Sequence, residues 1–448
     1  MGSNAPRSRR EFVRTSAVAA AGVAALAEHR FAILGHAAPD APIRIGVIGC
    51  GGRGTGAVLN ALKVATKVVY PERGYHTEDV AEGARRTAEG VEVVALADLF
   101  PDRLAECRRQ LEKVEVRVPD GACDTGFDAH EKLLAREEVN YVILAEPPHF
   151  RPAHFKAAVE AGKHVFMEKP LAVDGPGVRL VLEAGELAAK KGLGVVAGTQ
   201  RRHDARFVDT VARVREGAVG KVHACRTYWN GGLVWVVERQ PGWSDVEWQI
   251  RNWVHMAWLS GDHIVEQHVH NLDVANWVLG AHPLSARGMG GRQAHSSELY
   301  GDVYDHFAVE YEYPGGVRMF SQCRQMKGTE GKVGTFVDGS EGTADCEGRI
   351  LGADGAVKWR FEGQPANSME QEHADLIRSI REGRPLNESR AVAESTLTGI
   401  LGRESAYSGK TITWDAALRS ERSHTPATYA FSPRPIGGVP VPGRYEFR

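Results

Sequence analysis

The chain is short of surplus charge, of clustered cysteine and of long apolar runs, and each shortage excludes a class of function. Its 55 Lys and Arg nearly balance 57 Asp and Glu, for a net charge of −2, so there is no basic footprint for nucleic acid. The six cysteines (Cys50, Cys107, Cys123, Cys225, Cys323, Cys346) contain no C-x-x-C pair. This argues against a zinc knuckle, a redox motif or a disulfide framework and reads them as small buried hydrophobes. An alanine-rich stretch at 17–27 is too short to span a membrane. What remains is ordinary for a soluble globular protein: 448 residues, 43% hydrophobic and 25% charged, enough for two or three domains.

The most informative run is Ile43-Arg44-Ile45-Gly46-Val47-Ile48-Gly49-Cys50-Gly51-Gly52-Arg53-Gly54, a β-branched stretch ending in G-x-G-x-x-G. It reads as a first strand entering a dinucleotide-binding turn. Gly49 permits the tight turn, Gly51 admits a pyrophosphate and Gly54 lets the next helix pack on the strand, with Gly52 and Arg53 at that helix's start. A plain strand-to-helix turn would look the same without a second strand bearing an acidic end. Val91-Glu92-Val93-Val94-Ala95-Leu96-Ala97-Asp98 supplies one. Asp98 either accepts from the adenosine ribose hydroxyls, favouring NAD over NADP, or merely caps the next helix. It lies 44 residues beyond Gly54 instead of about 20. The intervening 63–90, rich in charge, reads as a solvated insertion, which a surface loop tolerates.

Before that strand, Ser8-Arg9-Arg10-Glu11-Phe12-Val13-Arg14 precedes the alanine-rich stretch, and Gly35-His36-Ala37 follows it. This resembles a twin-arginine export signal, so residues 1–38 are excluded from the fold, the alternative being a disordered basic tail. Export implies folding around a nucleotide first, and a periplasmic destination.

After Asp98, Asn140-Tyr141-Val142-Ile143-Leu144-Ala145 is a buried strand of a parallel sheet. It breaks at Glu146-Pro147-Pro148-His149-Phe150, a loop at a strand's carboxyl end, where such sheets bind ligands. A helix over 153–161 leads to Lys163-His164-Val165-Phe166-Met167-Glu168-Lys169-Pro170.

The glycine turn, Pro-Pro-His-Phe and Ala-Gly-Lys-His-Val-Phe-Met-Glu-Lys-Pro together resemble the Gfo/Idh/MocA oxidoreductase family over most of the chain. The resemblance implies that Lys169 is the catalytic lysine at the reacting oxygen, that Glu168 lies by the nicotinamide ribose, and that Pro147 and His149 belong to the cofactor side. It also implies that Pro170 holds the backbone in an unusual geometry. The residues agree: an ammonium at the sheet's carboxyl edge stabilises alkoxide charge. Glu146 stands where the family has a small or hydroxylated residue, and either touches ligand or caps a helix.

The nucleotide domain ends near Thr199, giving domains at 41–199 and 200–423 and a tail at 424–448. Arg201 and Arg202 at the junction either hold a sugar bidentately or pair with carboxylates. A strand over 221–230 brings Tyr228, and Trp235, Trp243, Trp248, Trp253 and Trp258 follow. These tryptophans line a sugar site or form an aromatic core under a long loop. Residues 262–279 read as one helix stacking His263, Glu266, His270 and Asp273 in a single quadrant. By the resemblance Glu266 and His270 are the acidic residue and catalytic histidine, and Asp273 is a further substrate residue. His270 is expected to titrate near neutrality as general base, with Glu266 orienting it. A zinc site from His263, Glu266 and His270 is the rival, and His268 points off this face. Strands dominate from 307 to 361, and helices return at 369–381 and 389–408.

The expected architecture is an α/β Rossmann domain with a doubly wound parallel sheet, then an α+β domain with an open, mainly antiparallel sheet. The expected function is hydride transfer from a secondary hydroxyl of a sugar, glycoside or cyclitol to tightly bound NAD, with NADP less favoured. An exported chain meets no soluble nicotinamide pool, so the reaction is paired or redox-neutral. The alternatives are an NAD-dependent glycosidase and a non-catalytic sugar binder. Expected partners are a carbohydrate, the twin-arginine machinery and a second copy in a homodimer or homotetramer, with no metal, nucleic acid or membrane insertion.

Overall fold

The computed structural model describes residues 42–448; the twin-arginine reading lies outside them. Apolar strands β1 (Ile43–Ile48), β4 (Val91–Asp98), β5 (Cys123–Thr125), β6 (Tyr141–Leu144), β7 (His164–Met167) and β8 (Val195–Ala197) form one parallel sheet. Their spatial order is β5-β4-β1-β6-β7-β8, which places a topological switch point between β1 and β6, where such sheets bind nucleotides. Helices α1 (Gly52–Ala61), α2 (Pro101–Glu112), α3 (Ala129–Leu134), α4 (Arg151–Glu160) and α5 (Gly175–Lys190) cover its faces.

The stretch 63–90 is not simply solvated. Thr66–Val69 and Thr77–Val80 pair as an antiparallel hairpin, β2 and β3, and Glu78 on it is buried. Gly74 N–H donates to Val236 O (2.8 Å) and Val236 N–H to Glu72 O (3.2 Å), so the hairpin loop bridges to the second domain.

That domain carries α6 (Ala205–Arg215), β9 (Val222–Gly231), α7 (Asp245–Arg251), α8 (Ala257–Ser260), α9 (His263–Glu266) and α10 (Val269–Leu279). Then come β10 (Ser285–Gly291), β11 (His306–Glu312), β12 (Arg318–Gln325), β13 (Lys332–Gly339), β14 (Gly342–Asp345), β15 (Arg349–Gly352) and β16 (Val357–Arg360). With β17 (Ile412–Thr413) they build a nine-stranded sheet, antiparallel except between β9 and β12.

One further expectation is corrected. The helix over 262–279 is broken: the N–H groups of Gln267 and His268 both donate to His263 O (3.0 Å each), and a new helix starts at Val269. The tail at 424–448 crosses its own chain. His424 N–H donates to Asp174 (2.9 Å), Arg434 N–H to Asp245 (2.9 Å) and Tyr445 Oη to Glu404 (2.7 Å). The last helices serve both domains. Leu376, Ile377 and Ile380 of α11 (Ser368–Arg381) enter the first domain's core, and the buried α12 (Ser389–Ser408) packs on α5, α10 and β10.

Candidate active site

Two confluent cavities run along the carboxyl edge of the parallel sheet, about 350 and 490 Å³, sharing Arg53, His76, Ala145, Glu146, Trp235 and Trp253 as walls. The first is floored by the glycine turn. Gly49 sits at φ +92°, and a Cβ there would lie 2.5 Å from Glu146 N; a Cβ on Gly54 would overlap the Gly49 carbonyl. A Cβ on Gly51, by contrast, would meet only Arg103 Nη1, at 3.9 Å. The turn is therefore packed behind and open in front, at the N-terminus of α1, which is the shape and polarity a pyrophosphate requires. Asp98, at the tip of β4, both lines this cavity and caps: its carboxylate accepts from Cys50 N–H (2.6 Å) and Phe100 N–H (2.7 Å). Burial pushes its carboxyl above the ordinary value. Pro147 lines this cavity too, but His149 does not. It is buried, bonds Tyr429 Oη (2.9 Å) and is pulled to about 4 by burial, so it anchors the tail instead of touching the cofactor side.

The second cavity is a charged chamber. Lys169 Nζ donates to both the carbonyl and the carboxylate of Glu266, 2.8 Å each, leaving its third N–H for a ligand. Arg151, fully buried, ties the loops bearing Glu146 and Lys169 together by donating to Glu146 O and Pro170 O. The Lys169–Pro170 bond is cis. Arg53 donates to Glu168 (2.5 Å) and Glu78 (2.7 Å), with Glu372 at 3.7 Å. Burial, then the Glu168 charge, pushes the Glu372 carboxyl well up, as expected of the third carboxylate around one guanidinium. Glu146 lines both cavities, with His154 Nδ1 at 3.4 Å.

His270 lines the chamber, stacked on Trp229 with centroids 5.7 Å apart. It does not titrate near neutrality. Burial, then the charges of Lys169, Arg201 and Arg53, hold it well below 6.5, so it is a neutral acceptor at pH 7. Glu266 serves Lys169 as its hydrogen-bond partner, because the helix break separates it from His270. The same break removes the zinc grouping: His263 is buried against Phe307, centroids 5.1 Å apart. No cluster of three or more metal-ligating side chains occurs among the described residues.

Both domains match family models: the oxidoreductase family with NAD-binding Rossmann fold over residues 43–199, and the GFO/IDH/MocA C-terminal domain over 207–345. The chain belongs to the Gfo/Idh/MocA oxidoreductase family. Among curated relatives of this family it is similar to an inositol 2-dehydrogenase of Acidothermus cellulolyticus, 24% identical over 90% of this chain and 98% of that one. It is also similar to a 2,7-anhydro-N-acetylneuraminate hydratase of Mediterraneibacter gnavus, 28% identical over 50% of this chain and 52% of that one. Its fold is that of the aldose-aldose oxidoreductase from Caulobacter crescentus crystallised with glycerol: TM-score 0.61, 18% identity, 83% of this chain and 99% of that one.

Within this Gfo/Idh/MocA chain, several residues expected at the ligand lie elsewhere. Arg202 forks onto Asp273 (2.9 and 2.8 Å), and Arg201 is spent on Asn271 and on the Phe207 and Trp229 rings. The nearly inaccessible Asp273 needs a counter-ion, and neither arginine nor Asp273 lines the chamber. Tyr228 is also outside: side chains alternate along β9, so Trp229 faces the chamber while Tyr228 lies with Phe336 and Lys332 on the other face. The tryptophans divide, Trp235 and Trp253 lining both cavities and Trp248 and Trp258 forming a small core with Phe100. His268 is structural, bonding Ser321 Oγ at 2.8 Å. Sequence reasoning missed His76 and Glu78 on the inserted hairpin. Two short runs with Thr and Val, separated by Pro71 and Gly74, were the signal for it.

Proposed function

We propose that the chain is an exported oxidoreductase that keeps one NAD and moves hydride between it and a secondary hydroxyl of a sugar or cyclitol. The observation that carries this reading is the convergence of Lys169, Glu266 and His270 on a chamber opening directly into the glycine-turn cavity. The inositol 2-dehydrogenase relative supports the substrate class. Gly49, Gly51 and Gly54 would hold the pyrophosphate, and Arg53 and Glu168 stand beside it. Asp98, a buried carboxylate on the adenosine side, favours NAD over NADP. When bound, NAD supplies the hydride acceptor. Lys169 holds the reacting oxygen with its remaining N–H, Glu266 fixes the Lys169 ammonium, and neutral His270 takes the hydroxyl proton.

Two segments support captivity of the nucleotide. The β2–β3 loop bridges to the second domain, with His76 against Gly52 of the glycine turn and Tyr75 in the cavity wall. The tail places Tyr429 in the cavity wall and stacks Phe431 on Phe100, centroids 6.0 Å apart. Captivity suits an exported enzyme, since hydride must then return to substrate. The outer sheet face, where Met289 and Phe320 are exposed, suits a homodimer or homotetramer. A second reading, redox-neutral cleavage of glycosides, is favoured by the hydratase relative.

The test is a panel of sugars and cyclitols mixed with the purified holoprotein while nicotinamide absorbance is followed. Reduction of the bound nucleotide is expected. His270→Ala should slow it by about 10²–10⁴-fold with the nucleotide retained. In the wild type the rate should stay level as pH falls through 6.5, because a depressed base loses its proton-accepting form only well below that value. Unchanged turnover in the variant would refute the assignment.

A further inference from the structure

His76 belongs to the inserted hairpin, not to the Rossmann frame, yet it is a wall of both cavities. Its position is fixed from three sides. A Cβ on Gly52 would overlap the His76 carbonyl, so the chain there rests on the start of α1. Glu78, two residues on, is bonded to Arg53 at 2.7 Å. The loop before it is tied to the second domain through Gly74 and Val236, and through Glu72 to Lys327 at 2.7 Å. The imidazole itself stacks on Tyr70, centroids 5.5 Å apart, and among the described residues it makes no hydrogen bond. Burial pulls it below its ordinary value; Glu78 and Glu266 oppose this, and Arg53 and Lys169 reinforce it. It is a neutral, half-buried base with its ring nitrogens available to the chamber.

His76, Lys169 and His270 are all walls of the same chamber. The lysine therefore shares its chamber with two bases, one from each domain. One base suffices for hydride transfer. A second, in the same chamber as the oxygen-holding ammonium, suits a proton on a neighbouring carbon.

We propose that His76 is a second proton-transferring residue of the chamber, taking the hydrogen from the carbon next to a ketone held by Lys169. This rests on the oxidoreductase reading above, which supplies the ketone from the alcohol by hydride transfer to NAD. In the step itself, the C–H electron pair becomes the carbon–carbon double bond of an enediolate and the carbonyl pair moves onto the oxygen facing Lys169. The proton resides on His76. Return of that proton, or of one from solvent, restores the ketone with no net redox change. The class of substrate is a cyclic polyol ketone or keto-sugar, and hydride return would then release a polyol that can differ in configuration at the neighbouring carbon.

The holoprotein is incubated in D2O with a cyclitol ketone (an inosose) and, separately, a methyl 3-keto-glucoside. Deuterium incorporation next to the carbonyl is read by mass spectrometry, and oxidation of reduced bound nucleotide by absorbance. His76→Gln should lower the ratio of exchange to hydride transfer by about 100-fold, the low end for a general base. His270→Gln should raise that ratio. His76→Phe, with melting temperatures for all variants, guards against a folding defect in one of them. No wild-type exchange above buffer, exchange undiminished in both His76 variants, or a parallel fall of both rates would overturn the proposal. Absence of any hydride transfer would instead sink the oxidoreductase reading, while exchange through His76 would still be read independently.

Discussion

Lys169–Glu266 and Arg202–Asp273 are two ion pairs of the same kind. Lys169 of the first domain and Arg202, just past its end at Thr199, each pair with a carboxylate on the helices after Gly261; each pair closes at 2.8 Å, and both cations are similarly covered, at 15% and 13% exposure. Their roles diverge because of what is left over. Arg202 spends its fork on a carboxylate that is 1% exposed, also held by Ser395 at 2.8 Å, and the rest of its guanidinium lies over Trp277. Lys169 keeps one N–H directed to an open chamber whose other walls include His270 and His76. Distance and burial do not identify a catalytic charge. The unspent donor facing open volume does.

The comparison breaks most visibly through stability. Arg202→Ala strands Asp273 and should cost about 3–5 kcal/mol, as removal of one member of a buried pair does, read by denaturant unfolding, with KM for substrate little changed. A raised KM at full stability would return Arg202 to the ligand. Lys169→Met should show the opposite profile: hydride transfer down by about 10²–10³-fold, the usual loss for one oxyanion-stabilising donor, with bound nucleotide kept. A loss below tenfold would make Lys169–Glu266 a second structural pair.

Legibility followed sequence distance. The glycine turn, Asp98 and Lys169 sit at strand ends, where apolar runs stop abruptly, and each could be placed from local pattern. Arg202 and Asp273 carried the right chemistry for a sugar site, but burial, invisible along the chain, assigned them to each other. The break after Glu266 has no Gly or Pro to announce it. Upstream, Asp262 starts the short helix at φ +72°, its carboxylate fixed by Tyr304 N–H (2.8 Å) and Tyr407 Oη (2.5 Å). The hairpin and tail over the cleft were hidden because their partners, Val236 and Phe100, lie far off in sequence.

The claim on which the rest depends is that the cleft holds its nucleotide. Denaturing the purified protein and measuring released nucleotide per chain tests it directly. The account predicts close to one equivalent of NAD or NADH, and a marked loss once residues 424–448 are deleted. A protein that releases none while retaining full activity with added NAD would contradict it, since its cofactor would then exchange freely.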